Sequence, residues 1–277
     1  DNVQDAYWQR AFHGFDDAMS EYSFIGIRVD KFMFNLNEKE SFSLKAKDIL
    51  KDGYHGVVTA PVFYHEAIEF FKECEAMDLP YVTFNTHIKE SRALCHVGQD
   101  LIQSGKTAAS LLHHVTDSGQ KMLVIHMLED YERARHVKEK EDGFREYFSE
   151  MGFPADKVIA LRIDNTGELE KILLDTLDKN SSIGGIFVST SKAHYVADIL
   201  QSQDLNIKLL GYDLIDKNIA YLDQGTIHYL IYQNPRFQAN QAFSFLLDYL
   251  VFKKKIPEVK LLPIEIVIKE NLKNYIQ

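Results

Sequence analysis

Two hydrophobic periods alternate along this chain, and the alternation restricts its fold more than any single residue does. Short, continuous apolar runs such as "KMLVIHM", "VIALRI", "IGGIFVST", "IKLLGYD" and "TIHYLIYQ" are separated by stretches with helical spacing. Leu101, Gly105, Ala108, Leu112 and Val115 align on one helical stripe, and Ala67, Phe71, Cys74 and Met77 on another. A strand that is apolar at every position must be covered on both faces. Strands of that kind between amphipathic helices therefore predict parallel sheets in an α/β protein.

The first half follows the same grammar. Trp8, Ala11, Phe12, Phe15, Met19 and Tyr22 predict a helix, and "FIGIRV" predicts a strand after it. A polar helix around "LKAKDILKDG", the strand "HGVVTAP", a helix from "YHEAIEFFKECEAMD", and the strands "LPYVTFNT" and "LCHVGQD" come next. After "TDSGQ" the pattern restarts, which predicts two α/β units in tandem; 277 residues are enough for two cores.

Charge and composition narrow the function. A formal charge of −10 argues against this chain being itself a nucleic-acid clamp, since phosphate contact requires a basic face. No apolar run approaches the roughly 18–20 residues needed to span a bilayer, and the abrupt first residues do not read as a basic-then-apolar signal peptide, with prior removal of one as the alternative. Cys74 and Cys95 read as buried thiols of a cytoplasmic protein, with a single disulfide as the alternative.

In open α/β sheets, ligands lie beyond the carboxyl ends of the strands. Those ends carry Thr59, Asn85, Asp100 and His126 in sequence order, then Thr190, Asp213 and Gln233. Nearly every strand stops on a hydrogen-bonding side chain. Each has a plainer reading: Asp100 and Asp213 as helix N-caps, Thr190 as a cap, His126 as a satisfied core histidine. Gln233 resists that treatment, because Asn234 already occupies the capping position before Pro235.

Enzyme motifs are poor. "SGKT" at 104–107 would end a phosphate-binding loop only with glycine at position 100, where Asp100 would repel phosphate. "YHEAIEF" lacks the second histidine of a zinc helix, and CxxC, G-x-S-x-G and G-x-G-x-x-G do not occur. Neither turnover, a cofactor nor a bound metal is expected.

Four segments, "VGQDLIQSGKTAASLL", "IKLLGYDLIDKN", "GTIHYLIYQNPRFQANQAFSFLLDYL" and "LLPIEIVIKEN", resemble the effector-binding core of the lac-repressor/gal-repressor family of transcription regulators. The resemblance runs from about residue 6 to the carboxyl terminus and is most specific between Gly211 and Asn271. It implies two Rossmann-like lobes of type I periplasmic binding protein architecture. The expected boundaries are residues 1–118 with 235–256 for the amino-terminal lobe, and 119–234 with 257–277 for the carboxy-terminal one. It also implies a small carbohydrate effector held between the lobes. Matching the family's motifs gives Asp100, Asp213 and Gln233 as ligand contacts, with Tyr7 and Trp8 as the stacking surface. Thr59 and Asn85 complete the expected lining. Lys140 stands where many members have an arginine, and Thr190 where many have asparagine; a lysine cannot reproduce the planar guanidinium fork. The family further implies a homodimer that binds operator DNA through an upstream helix-turn-helix domain, without membrane contact. The sequence is accordingly expected to be part of a longer polypeptide, lacking even the first strand of its amino-terminal lobe. The alternative is a periplasmic sugar receptor that serves transport or a sensor kinase.

Overall fold

The computed structural model describes residues 6–36, 38–128 and 135–276. In chain order the first elements are α1 (Ala6–Glu21), α2 (Lys39–Lys51), β1 (Val57–Thr59), α3 (Tyr64–Ala76), β2 (Tyr81–Phe84) and β3 (Cys95–Gly98). Next come α4 (Leu101–Val115), β4 (Lys121–Met127), α5 (Arg135–Glu150), β5 (Val158–Ile163), α6 (Leu169–Lys179) and β6 (Ile183–Val188). The chain closes with α7 (Ala193–Ser202), β7 (Lys208–Tyr212), α8 (Asp216–Gln224), β8 (Tyr229–Tyr232), α9 (Pro235–Leu250), β9 (Val259–Leu261) and β10 (Glu265–Val267).

These elements form two compact units: Asp1–Gln99 with Asn234–Pro263, and Asp100–Gln233 with Ile264–Gln277. The first has a parallel sheet in the order β1-β2-β3-β9. The second has the order β10-β8-β7-β6-β4-β5, parallel except for β10, which runs antiparallel to β8. Parallel pairing follows from the apolar runs. Within β4, Leu123, Ile125 and Met127 enter one core cluster while Met122 and Val124 enter the other, so each face of the strand is buried under a helical layer. Each such side chain contributes about 1.5–3 kcal/mol by leaving water.

Three expectations need correction. The first boundary lies near residue 99, not 118, because α4 belongs to the second unit. Its glycine lets it sit directly on α5: a Cβ on Gly105 would lie 2.1 Å from the Lys140 carbonyl oxygen, and one on Gly143 would lie 1.9 Å from that of Ile102. The last boundary is near 263, not 256, because β9 extends the first unit's sheet beside β3. Thirdly, "FIGIRV" is not a strand. Residues 23–25 form a 3-10 turn and residues 26–35 have no regular structure. A strand persists only with a hydrogen-bonded neighbour, and β1, the sheet's outermost strand, pairs only with β2 among the described residues.

Helix α9 follows the second unit in sequence yet packs on the first. Ala239, Ala242 and Leu246 join the cluster of Ala11, Val82 and Val97. A Cβ on Gly14 would meet the Arg236 carbonyl oxygen at 2.0 Å, so α1 and α9 are also in backbone contact. Both cysteines are buried free thiols, which removes the disulfide alternative.

Candidate functional site

The second unit's sheet places its polar residues by topology. Strand order reverses at β4 and β6, since β5 lies on one side of β4 and β6, β7 and β8 lie on the other. Such a switch point opens a crevice at the carboxyl ends of the two central strands. Ser189 and Thr190 follow β6 there, and His126 is next to last in β4. Lys140 enters from α5, and its Nζ donates to the Ser189 carbonyl at 3.1 Å while lying 3.6 Å from the Tyr212 ring centroid. Burial lowers the Lys140 pKa to about 8, and the nearby Asp213 carboxylate only partly offsets this. The Thr190 Oγ1 is buried without a hydrogen-bond partner among the described residues, an arrangement that costs energy unless something else supplies one.

Asp213 and Gln233 end the neighbouring strands β7 and β8. Asp213 is only 3% exposed, adopts a left-handed backbone (φ 67°), and donates its amide to the Ile231 carbonyl at 2.9 Å. Its carboxylate accepts from the Gln233 amide at 3.2 Å and from Gln233 Nε2 at 2.8 Å. The capping alternative fails for Asp213, because α8 begins at Asp216 with Ile215 as its N-cap. Asn218, wholly buried on α8, fixes the corner from below. Its Nδ2 donates to the carbonyls of Ser191 and Tyr212 at 2.9 Å and of Asp213 at 3.0 Å. Asn234 is left-handed and caps α9 by accepting from the Phe237 amide at 3.2 Å, with Pro235 in the first helical turn.

Around this corner runs a hydrogen-bonded layer. Tyr212 shares a 2.7 Å bond with Ser104. His126 bridges Ser189 Oγ through Nδ1 and Glu141 Oε2 through Nε2, both at 2.7 Å, and Glu141 accepts in turn from Arg145 Nε at 2.7 Å. His126 is therefore the satisfied core histidine of the plainer reading. Its role is to tie β4, β6 and α5 together under Thr190.

Asp100 is an exposed N-cap whose carboxylate accepts from the Gln103 amide at 2.9 Å. The capping alternative thus describes its observed contact, and "SGKT" lies inside α4, not in a phosphate loop.

The first unit repeats part of the device. Asn85 follows β2, also with φ 67°, and its amide donates to the Val97 carbonyl and to Gln238 Oε1, both at 3.0 Å. Its Nδ2 donates to the Tyr7 hydroxyl. Tyr7 is buried and meets Trp8 edge-on at 5.2 Å, while half-buried Trp8 meets Phe84 edge-on at 6.2 Å. Thr59 ends β1, half-buried. The structure thus joins Tyr7, Trp8 and Asn85 in one group, and Lys140, Asp213 and Gln233 in another, with Thr190 next in sequence to Ser189, whose carbonyl accepts from Lys140. Sequence reasoning missed Tyr212, Ser104, Ser189, Glu141, Asn218 and Gln238. The apolar step of Tyr212 into Asp213 was a visible signal for the first of these; single polar residues on helices leave none.

Two helix-flanked sheets with polar residues gathered at the carboxyl ends of their strands define a protein of type I periplasmic binding protein fold. The chain belongs to the periplasmic binding protein domain family, whose model matches residues 1–254. A candidate LacI transcriptional regulator from Bacteroides fragilis is similar at 25% identity and TM-score 0.89, over 97% of this chain and 94% of that one. A glucose-galactose binding protein from Geobacillus stearothermophilus shares the fold at 19% identity and TM-score 0.80, covering 96% and 94%. So does a solute binding protein of an ABC transporter from Burkholderia graminis, solved with D-arabinose, at 16% identity and TM-score 0.84 over 98% and 94%. No curated protein matches the chain in sequence.

Proposed function

We propose that this protein senses a small carbohydrate and transmits its presence to DNA as the effector-binding part of a cytoplasmic, dimeric transcription regulator. The observation that carries the reading is the Asp213–Gln233 pair, bonded at 2.8 Å at the carboxyl ends of β7 and β8 near Lys140, together with the buried Thr190 hydroxyl after β6, which has no partner among the described residues. Carboxylate, amide, ammonium and hydroxyl together offer both donors and acceptors, which suits a ligand whose hydroxyls each do both. Relatives of this fold that bind sugars, and similarity to a candidate LacI regulator, support the same class. The two reduced, buried thiols support a cytoplasmic setting. No turnover is proposed: the sugar is bound and released unchanged.

A thermal-shift screen of mono-, di- and uronic-acid sugars tests the ligand class; a ligand at 100 times its Kd adds about 2.7 kcal/mol. The regulator reading is tested on the complete polypeptide, by anisotropy with DNA from upstream of its own coding region. The sugar should change DNA affinity by about 5–150-fold, equivalent to 1–3 kcal/mol of coupling. Sugar binding with no DNA affinity would instead favour the receptor reading, which the solute-binding relatives support.

A further inference from the structure

The surroundings of Lys140 show how a buried ammonium stays charged. Its Nζ lies over the face of Tyr212, 3.6 Å from the ring centroid, and donates to the Ser189 carbonyl at 3.1 Å. Lys140 is 3% exposed, and Tyr212 and Ser189 are wholly buried. A cation over a ring face is attracted by the ring quadrupole, most strongly where water is excluded. The ring is fixed in turn. Tyr212 ends β7, its hydroxyl shares the 2.7 Å bond with Ser104 on α4, and its ring meets that of Phe187 at 5.8 Å between centroids. Burial raises the pKa of the phenol, so the attraction comes from the ring face and not from a phenolate.

The neighbouring charges have other engagements. Asp213 is the carboxylate that favours the charged lysine. Glu141, next in sequence, is paired with His126 and Arg145. His136, about one helical turn before Lys140, has its pKa pushed down to about 3 by burial and then by Lys140 itself, so it adds no competing charge at neutral pH. An ammonium has three N–H donors. With one on Ser189 and another against the Tyr212 ring, at most one is left for a ligand oxygen.

We infer that Tyr212 is a positioning residue of the sugar site: its ring face, with the Ser189 carbonyl, holds the Lys140 ammonium charged and presents a single N–H to the ligand. The presentation rests on the sugar-sensing reading above; the hold on the ammonium does not.

An NMR titration of the Lys140 Cε in the ligand-free protein, its signal identified by its loss in Lys140→Met, tests the hold. Tyr212→Leu removes the ring and should lower the Lys140 midpoint, so that the neutral-amine fraction at pH 7 rises at least about 10-fold. Tyr212→Phe keeps the ring and should leave that fraction within about 2-fold of the parent. If Tyr212→Leu does not fold, pentafluorophenylalanine at position 212 keeps the ring's size, withdraws the negative charge from its face and should give the same rise. An unmoved midpoint without the ring face, or an equal fall in Tyr212→Phe, overturns the inference. Calorimetry with the tightest-binding sugar of the screen reads the presentation. Tyr212→Leu should weaken binding about 10-fold in the parent and leave it unchanged in the Lys140→Met background. An equal loss in both backgrounds also overturns the inference, because the ring would then act without the lysine. If no sugar binds the parent, the sensing reading fails, while the titration still decides whether Tyr212 holds Lys140.

Discussion

Asn85 and Asp213 are counterparts in the two units. Each immediately follows a strand, with φ 67°, and each donates its amide to a carbonyl of the neighbouring strand, Val97 at 3.0 Å and Ile231 at 2.9 Å. Asparagine and aspartate enter the left-handed region more readily than other residues with a Cβ. The backbone at these corners therefore selects the same residue types that a polar ligand would select.

That dual role changes what substitution of Asp213 should do. Asp213→Ala removes both bonds to Gln233 and places alanine in a left-handed corner, at about 1–2 kcal/mol for the backbone alone. It should lower the melting temperature as well as sugar affinity. Asp213→Asn keeps the backbone preference and one acceptor. It should lose about 1.5–3 kcal/mol of binding, or one to two decades in Kd, with a smaller loss of stability than alanine. Calorimetric titration alongside thermal melts measures both; wild-type affinity in the asparagine variant would remove Asp213 from the site.

Asn218 should matter as much to stability as any large core residue. Its Nδ2 serves three carbonyls and its Oδ1 accepts from the His194 amide at 2.9 Å. Asn218→Ala leaves these buried backbone groups unsatisfied, at about 1–3 kcal/mol for each uncompensated group. A total loss of at least about 3 kcal/mol should appear as a lower urea midpoint. A change under about 0.5 kcal/mol would contradict the contact network.

Lys140 should make stability rise with pH. Its pKa falls from 10.5 unfolded to about 8 folded, chiefly by burial. Between those values the unfolded chain binds the extra proton, so unfolding free energy increases as pH rises through that window. Lys140→Met removes the effect. The difference between variant and parent should therefore shrink by up to about 3 kcal/mol from pH 8 to 10.5. Parallel urea melts at several pH values check the slope; a constant difference would place the ammonium in solvent.

The α4–α5 crossing should not accept a methyl group. Gly143→Ala puts Cβ 1.9 Å from the Ile102 carbonyl oxygen, and Gly105→Ala puts it 2.1 Å from that of Lys140. Backbone must move in either case, at about 3 kcal/mol or more, the upper end of overpacking costs. Gly119→Ala, with nothing within 4 Å of the added atom, is the control and should melt within a degree or two of the parent. Equal melting of all three variants would refute the close crossing.

Much of this molecule was legible in the sequence because it is written in local period. The runs 122–125, 183–188, 209–212 and 229–232 are without charged residues and mostly apolar, and each lies in a parallel-paired strand of the second unit's sheet. Asn234-Pro235 marked the start of α9, and Gln233, left without a capping duty, became the partner of Asp213. Tertiary structure decided what depends on distant neighbours. "FIGIRV" has a strand's composition, but a ladder needs a partner along its edge and none of the described residues supplies one. Helix α4 reads as a continuation of the first unit, yet Gly105 and Gly143 let two backbones touch and carry it into the second. His126 and Asp100 looked alike as polar residues at strand ends. One became the centre of a buried network and the other an exposed cap, because burial and hydrogen-bond partners come from chain segments remote in sequence. Local pattern determines which faces must be covered; only the folded chain determines by what.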